Sequence, residues 1–263
     1  MSEKVIALSN EDEQWQLSLH NGDLGCYARL QHPHSNEAVV SRIARSAFHF
    51  FDSDILARYN EAKTTDASPQ RIVKSTRSQK QHEPVVLGIT GRSGSGKSTL
   101  AQQVTGLFED DGLTVTTLQT DDYNRGKKAI RRLLGLKETD SINWDAHVAY
   151  DMERLELDIQ RLRARQPSRP VYSFDFATAE PQKLDAILKP SDIVIVEGIM
   201  ANSPVLTELI DQHHTVSTPV ATCIGRRVLR DTMDTGRPVS WSAEEILRYI
   251  IEVAEPEYLR RFI

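Results

Sequence analysis

Apolar and polar positions divide this chain into two blocks of different periodicity. From Pro84 onward, short apolar runs alternate with amphipathic stretches. "VVLGI" and "SDIVIVEG" are almost continuously apolar, the pattern of strands buried on both faces, and "LTVTTLQ" supplies a further strand. "STLAQQVTGLFED" sets Leu100, Val104 and Leu107 on one helical face. "AHVAYDMERLELDIQRLRARQ" predicts a long helix between the second and third strands. The alternation predicts an α/β fold, a three-layer arrangement whose parallel sheet is covered by helices on both faces.

The region before Pro84 reads differently. In "QWQLSLH" the residues Trp15, Leu17 and Leu19 alternate, and the Asn21-Gly22 step predicts a hairpin with "CYARL". "NEAVVSRIARSAFHFF" puts Val40, Ile43, Ala44, Ala47, Phe48 and Phe51 on one helical stripe. Residues 1–60 therefore form a small N-terminal α+β block. It carries no evident chemistry, since His20, His32, His34 and His49 match no common metal-ligand spacing. Residues 61–83 are poor in large apolar side chains and read as a polar linker whose lysines and arginines could also attract phosphate. Residues 84–263 form the main domain.

Composition narrows the class. Hydrophobic residues make up 39% and charged residues 26%, as in soluble globular proteins, and the net charge of −5 argues against a dedicated nucleic-acid binder. The two cysteines, Cys26 and Cys223, stand in no metal-ligand spacing and suit a reducing compartment. "MSEKVIALSNEDEQ" lacks the apolar core of a secretory signal, and no apolar run reaches membrane-spanning length. These features predict a cytoplasmic protein with neither membrane nor nucleic acid as partner; a homo-oligomer is compatible with them.

The chemistry centres on "GITGRSGSGKST", where Gly91, Gly96, Lys97 and Ser98 satisfy G-x-x-x-x-G-K-[ST] between a strand and a helix. In such a loop free N–H groups and the helix N-terminus cradle a polyphosphate, the lysine neutralises β and γ phosphates, and the hydroxyl coordinates Mg²⁺. The expected nucleotide contacts are Gly91, Ser93, Gly94, Ser95, Gly96, Lys97, Ser98 and Thr99. "LQTDDYN" ends the second strand in Asp121 and Asp122, where ligands collect in an open α/β sheet and a carboxylate can take the proton of an attacking hydroxyl. Glu197 ends "DIVIVEG" at a position suited to a metal-associated acid. In "IGRRVLRDTMDTGR", Arg226, Arg227, Arg230 and Arg237 form either a solvated face or a lid that shields a transferring phosphoryl group.

In order and spacing, "TDDYNR", "NWDAHVAYD", "FDFATAE", "IVIVEGIM" and "RRVLRDTMDTGR" resemble the uridine kinase and phosphoribulokinase family of P-loop kinases, the uridine-cytidine kinases above all. The resemblance implies Asp121 as catalytic base, with Lys97 and Arg230 in the catalytic machinery. It implies Asp145, Tyr123 and Arg237 at the acceptor, Arg227 on the nucleotide, and Ser98 with Glu197 at Mg²⁺. It also implies a five-stranded parallel sheet and a hairpin around Val171 to Phe176 beside the acceptor. Three positions depart from the family pattern: Asn124 stands for a tyrosine, Ala179 for the hairpin histidine, and Thr235 for a lid arginine. Relatives continue past "EPEYLRRFI" to a last strand and helix, so either the chain is truncated or its sheet is completed otherwise, with the N-terminal block as a candidate.

The expected protein is an ATP- and Mg²⁺-dependent kinase transferring the γ-phosphoryl to a hydroxyl of a nucleoside or sugar-like small molecule. The alternative is a nucleotide-binding regulatory P-loop protein without efficient kinase activity.

Overall fold

A computed structural model describes the backbone of residues 2–10, 13–22, 25–31, 38–43, 68–79, 84–168, 170–233 and 242–260. The chain divides into two compact units, and the division is not a single cut along the sequence. One unit draws on residues 1–64, 92–95 and 217–263, the other on residues 65–91 and 96–216.

The second unit is built on a parallel sheet. Its strands β5 (Val85–Gly91), β6 (Val115–Gln119), β9 (Ile193–Glu197) and β10 (Gln212–Val216) lie in the order β10-β5-β9-β6. Alternate residues of the apolar runs leave opposite faces. Val86, Val194 and Val196 join a core with Leu155, Ile159 and Leu162 of helix α4 (Met152–Arg163). Val85, Leu87, Ile89, Ile193 and Ile195 join a second core with Leu100, Val104 and Phe108 of helix α2 (Lys97–Asp110). Both faces being apolar is what makes the runs continuous in sequence.

Ile72 and Val73 belong to that second core through helix α1 (Pro69–Gln79), which lies inside the stretch expected as a linker. Two apolar residues and Thr76, whose hydroxyl donates to the Ile72 carbonyl at 2.9 Å, were enough for an otherwise polar segment to dock. The long helix expected over 146–166 starts later. Residues His147–Ala149 form a short 3-10 turn, and α4 begins at Met152 with the Asp151 carboxylate accepting the Arg154 amide as its cap. Between β6 and α4 lies helix α3 (Lys127–Leu134), and after α4 comes a two-stranded antiparallel hairpin of β7 (Pro170–Asp175) and β8 (Glu180–Ile187).

In the first unit, β1 (Ser2–Asn10), β2 (Glu13–Gly22), β3 (Gly25–Gln31) and β4 (Ala38–Ile43) form an antiparallel meander. The β2–β3 pairing brings Gly22 opposite Gly25, the hairpin expected from the Asn-Gly step. β4 corrects the helix expected there: Ala38–Ile43 pairs with Cys26–Gln31, and its β-branched Val39, Val40 and Ile43 suit that ladder. The rest of that predicted helix, residues 36–37 and 44–51, lies outside the described residues, as do the side chains of Cys26 and the N-terminal histidines. The parallel sheet has four described strands rather than five, and the N-terminal strands make a sheet of their own. The unit is completed by helices α5 (Val220–Met233), α6 (Ala243–Tyr249) and α7 (Glu255–Arg260), with a π turn over Ile250–Ala254. Among the described residues no helix is long and apolar enough to cross a membrane.

Candidate active site

Strand register brings the expected acids to one edge. Ile89 of β5 and Gln119 of β6 both stand level with Glu197 of β9. The phosphate loop leaves β5 just beyond this line, and a 3-10 turn over Thr120–Tyr123 leaves β6 there. Carboxyl ends of parallel strands are where open α/β sheets bind ligands, because the loops that leave them diverge around a crevice.

The loop wraps closely because its glycines hold backbone angles closed to other residues. Gly91, Gly94 and Gly96 have φ of 147°, 84° and 93°. A Cβ on Gly94 would stand 2.5 Å from the Cys223 carbonyl oxygen, so this position combines a left-handed backbone with a close approach to α5. Gly96 precedes α2, leaving the first amides of that helix unspent by any side-chain cap.

Lys97 is only 8% exposed, while Ser98 and Thr99 are exposed at the helix start. The Ser98 hydroxyl donates to Glu197 Oε1 at 3.1 Å. Burial pushes the Glu197 carboxyl above its usual range and the Asp121 charge pushes it further, while Lys97 and the Ser98 hydroxyl pull it back. A buried carboxylate crowded by a second one, with a hydroxyl in contact, is a hard oxygen donor set short of positive charge. That fits Mg²⁺, which is held by one or two carboxylates together with substrate phosphates rather than by an all-protein cage. Among the described residues no group of three or more His, Cys, Asp or Glu side chains could hold a metal ion by itself.

Asp122 has a structural role beside Asp121. Its carboxylate accepts the Phe174 amide of β7 at 3.0 Å, and burial pushes it above the usual carboxylate range. Its carbonyl accepts Arg154 Nη2 at 3.0 Å. The Arg154 guanidinium lies between the Tyr123 and Tyr172 rings, 4.4 Å and 4.6 Å from their centroids. The turn carrying Asp121, helix α4 and the hairpin are thereby locked together.

Tyr123, expected at the acceptor, packs into the core. It is 3% exposed, and its hydroxyl donates to Asp158 at 3.0 Å, with burial pushing its ionisation far up. Asp145 is buried on the segment between α3 and α4, where its amide donates to Asn143 Oδ1 at 3.1 Å. Beside it the Trp144, Phe174 and Phe176 rings meet edge to face, at 6.2 Å and 5.1 Å. Asn124 is buried, its Oδ1 accepting the Gly126 amide, and Ala179 sits in the hairpin turn at φ 56° with its carbonyl accepting the Lys127 amide. Both departures from the family pattern are thus spent on shaping the chain around α3.

On α5, Arg227 and Arg230 share one partner, Asp231, at 3.7 Å and 2.8 Å, and Arg230 Nη2 lies 3.5 Å from the Ser93 hydroxyl. Arg237 and Thr235 lie outside the described residues. Sequence reasoning passed over Arg92, whose partner Glu255 is 163 residues further along. A charged residue inside a glycine loop was the available signal, but nothing local names its partner.

A sheet with a lysine-bearing phosphate loop on its carboxyl edge and acids on the neighbouring strand ends defines a P-loop protein of the kinase type. The family model described as Phosphoribulokinase / Uridine kinase family matches residues 86–261, and the chain belongs to that family. The uridine kinase of Clostridium botulinum (strain Okra / Type B1) is 31% identical over 180 residues, covering 67% of this chain and 81% of that protein. That of Brevibacillus brevis is 28% identical over 179 residues, covering 67% and 78%. Among solved structures, a Silicibacter sp. TM1040 protein assigned as a fructose transport system kinase aligns with a TM-score of 0.60 at 18% identity, covering 73% of this chain and 94% of that one. The D-glycerate 3-kinase of Cryptococcus neoformans var. grubii aligns with a TM-score of 0.52 at 16% identity, covering 78% and 87%. These two likenesses concern the fold. The chain is an ATP-dependent phosphotransferase whose acceptor is a small-molecule hydroxyl, and the regulatory alternative is not favoured.

Proposed function

We propose that this protein phosphorylates a hydroxyl of a ribose-bearing or sugar-like molecule, with uridine or cytidine the leading acceptor, and that residues 84–263 carry the chemistry. The relatives named uridine kinase support the acceptor class. The observation that carries the mechanism is the convergence of Lys97, Asp121 and the Ser98 hydroxyl on the buried Glu197 carboxyl.

In this reading the loop from Gly91 to Thr99 holds the triphosphate and Lys97 lies against its β and γ phosphates. Ser98 and Glu197 hold Mg²⁺, which when bound offsets phosphate charge. Asp145 fixes the sugar hydroxyls, and Trp144, Phe174 and Phe176 offer an aromatic wall for a base. Asp121 accepts the proton of the attacking hydroxyl as its oxygen bonds to the γ-phosphorus and the bond to the β-phosphate oxygen breaks, releasing ADP. By the family resemblance Arg227 belongs to the nucleotide, Arg230 to the transferring phosphoryl group and Arg237 to the acceptor. A cytoplasmic setting, where ATP is available, belongs to the same proposal.

The test is ADP release with ATP and Mg²⁺ across nucleosides, pentose phosphates and glycerate. Release stimulated by a nucleoside, reduced about 10²–10⁴-fold in Asp121→Asn with nucleotide affinity retained, is expected for loss of a general base. Stimulation by glycerate or a pentose phosphate alone would reject the nucleoside assignment.

A further inference from the structure

The phosphate loop has one buried charge that no phosphate role employs. The Arg92 side chain is 6% exposed, and its Nε donates to Glu255 Oε2 at 2.8 Å, the carboxylate side chain being 9% exposed. The guanidinium carbon stands 4.5 Å over the centroid of the buried Tyr258 ring. Glu255 and Tyr258 are three residues apart on α7 and so share one helix face. The π turn over Ile250–Ala254 ends immediately before Glu255. Arg92 is also part of the loop's own folding, because its carbonyl accepts the Ser95 amide at 3.1 Å.

A buried ion pair adds little net stability over an apolar pair of the same shape, yet leaving one member alone is costly. Its use here is therefore to fix a conformation. The guanidinium is held on two sides, by a carboxylate and by a ring face, and the residue so held starts the turn that closes at Ser95.

We propose that Arg92, Glu255 and Tyr258 are positioning residues, through which the C-terminal helix sets the phosphate loop for nucleotide binding. The proposal rests on the reading of the loop as a triphosphate site. Loosening this clamp weakens nucleotide binding and leaves the acceptor's KM where it was.

The experiment compares the full chain with the double variant Arg92→Met/Glu255→Met, with Tyr258→Leu and with Lys97→Ala. It measures melting temperature, equilibrium binding of a fluorescent ATP analogue without acceptor, and KM for each substrate. The double variant, whose apolar pair replaces both ions, is expected to melt near the parent temperature. It should bind the analogue about tenfold more weakly, the loss expected when the binding-competent loop is only about a tenth populated, with acceptor KM within about twofold. Parent affinity at parent stability would overturn the proposal and leave the pair a packing feature. Should the double variant not fold, Tyr258→Leu decides. It keeps the ion pair and the apolar filling, and loss of the ring face should weaken binding about threefold; unchanged binding overturns the proposal. Equal binding by the parent and Lys97→Ala would instead reject the triphosphate reading of the loop, an outcome separate from either of these.

Discussion

Gly94 shows how much a single residue of the loop is asked to do. Its φ of 84° and the 2.5 Å between a would-be Cβ and the Cys223 carbonyl leave no room for another side chain. Gly94→Ala should lower the melting temperature by an amount corresponding to about 1–3 kcal/mol from backbone strain alone. It should also weaken binding of an ATP analogue, and normal binding in calorimetry would show that the loop relaxes freely. Lys97 makes a different demand, being charged, nearly buried and beside Glu197. Lys97→Ala should lower kcat/KM by about a thousandfold or more, since positioning and charge supply most of phosphoryl-transfer catalysis. Steady-state kinetics with saturating Mg²⁺ would measure it. The loop glycines, Lys97 and Ser98 were legible because their spacing is local and its chemistry demands those residue types. The burial of Tyr123 was not legible, because its hydroxyl partner, Asp158, comes from a helix 35 residues away.

Elements are joined here by polar contacts that the apolar pattern does not reveal. Asp122 holds the β7–β8 hairpin to the turn that carries Asp121, through the Phe174 amide. Asp122→Ala should strand that amide at a cost of about 1–3 kcal/mol. Because the hairpin lies next to the aromatic rings and Asp145, acceptor KM should rise more than the KM for ATP; equal rises in initial-rate kinetics would count against it. α1 is the opposite case, an apolar contact hidden in a polar stretch. Ile72 is 1% exposed, and Ile72→Ala should cost about 2–5 kcal/mol in denaturant unfolding. A dispensable linker would show almost none. Strand β4 was mistaken for a helix because a short β-branched run satisfies both periods until its partner strand is known.

At the scale of the whole molecule, the edge strand β10 makes stability depend on pH. Burial and the neighbouring His213 hold the His214 pKa below its ordinary value, and His214 Nε2 is buried without a hydrogen-bond partner among the described residues. The native state thus takes up this proton less readily than the unfolded chain. The stability tied to neutral His214 is complete above the unfolded value of about 6.5 and is lost as pH falls through the lower native value. The parent should lose melting temperature between about pH 7 and pH 5 relative to His214→Gln, in matched thermal scans. Parallel curves would assign the acid limb to other groups. Asp122 and Glu197, raised by burial, act in the opposite sense, which is why the comparison with the variant is needed.

The sequence by itself determined that a parallel sheet would form, that a phosphate loop would follow its first strand, and that Asp121 and Glu197 would stand at strand ends. Continuous apolar runs, a glycine-rich loop and terminal acids are local patterns with few physical readings. Tertiary structure alone decided that four described strands take the order β10-β5-β9-β6, that residues 69–79 fold onto α2's face of the sheet, and that Arg92 meets Glu255. Those outcomes depend on which distant surfaces fit once backbone amides and buried charges must all find partners, and no window of neighbouring residues contains that information.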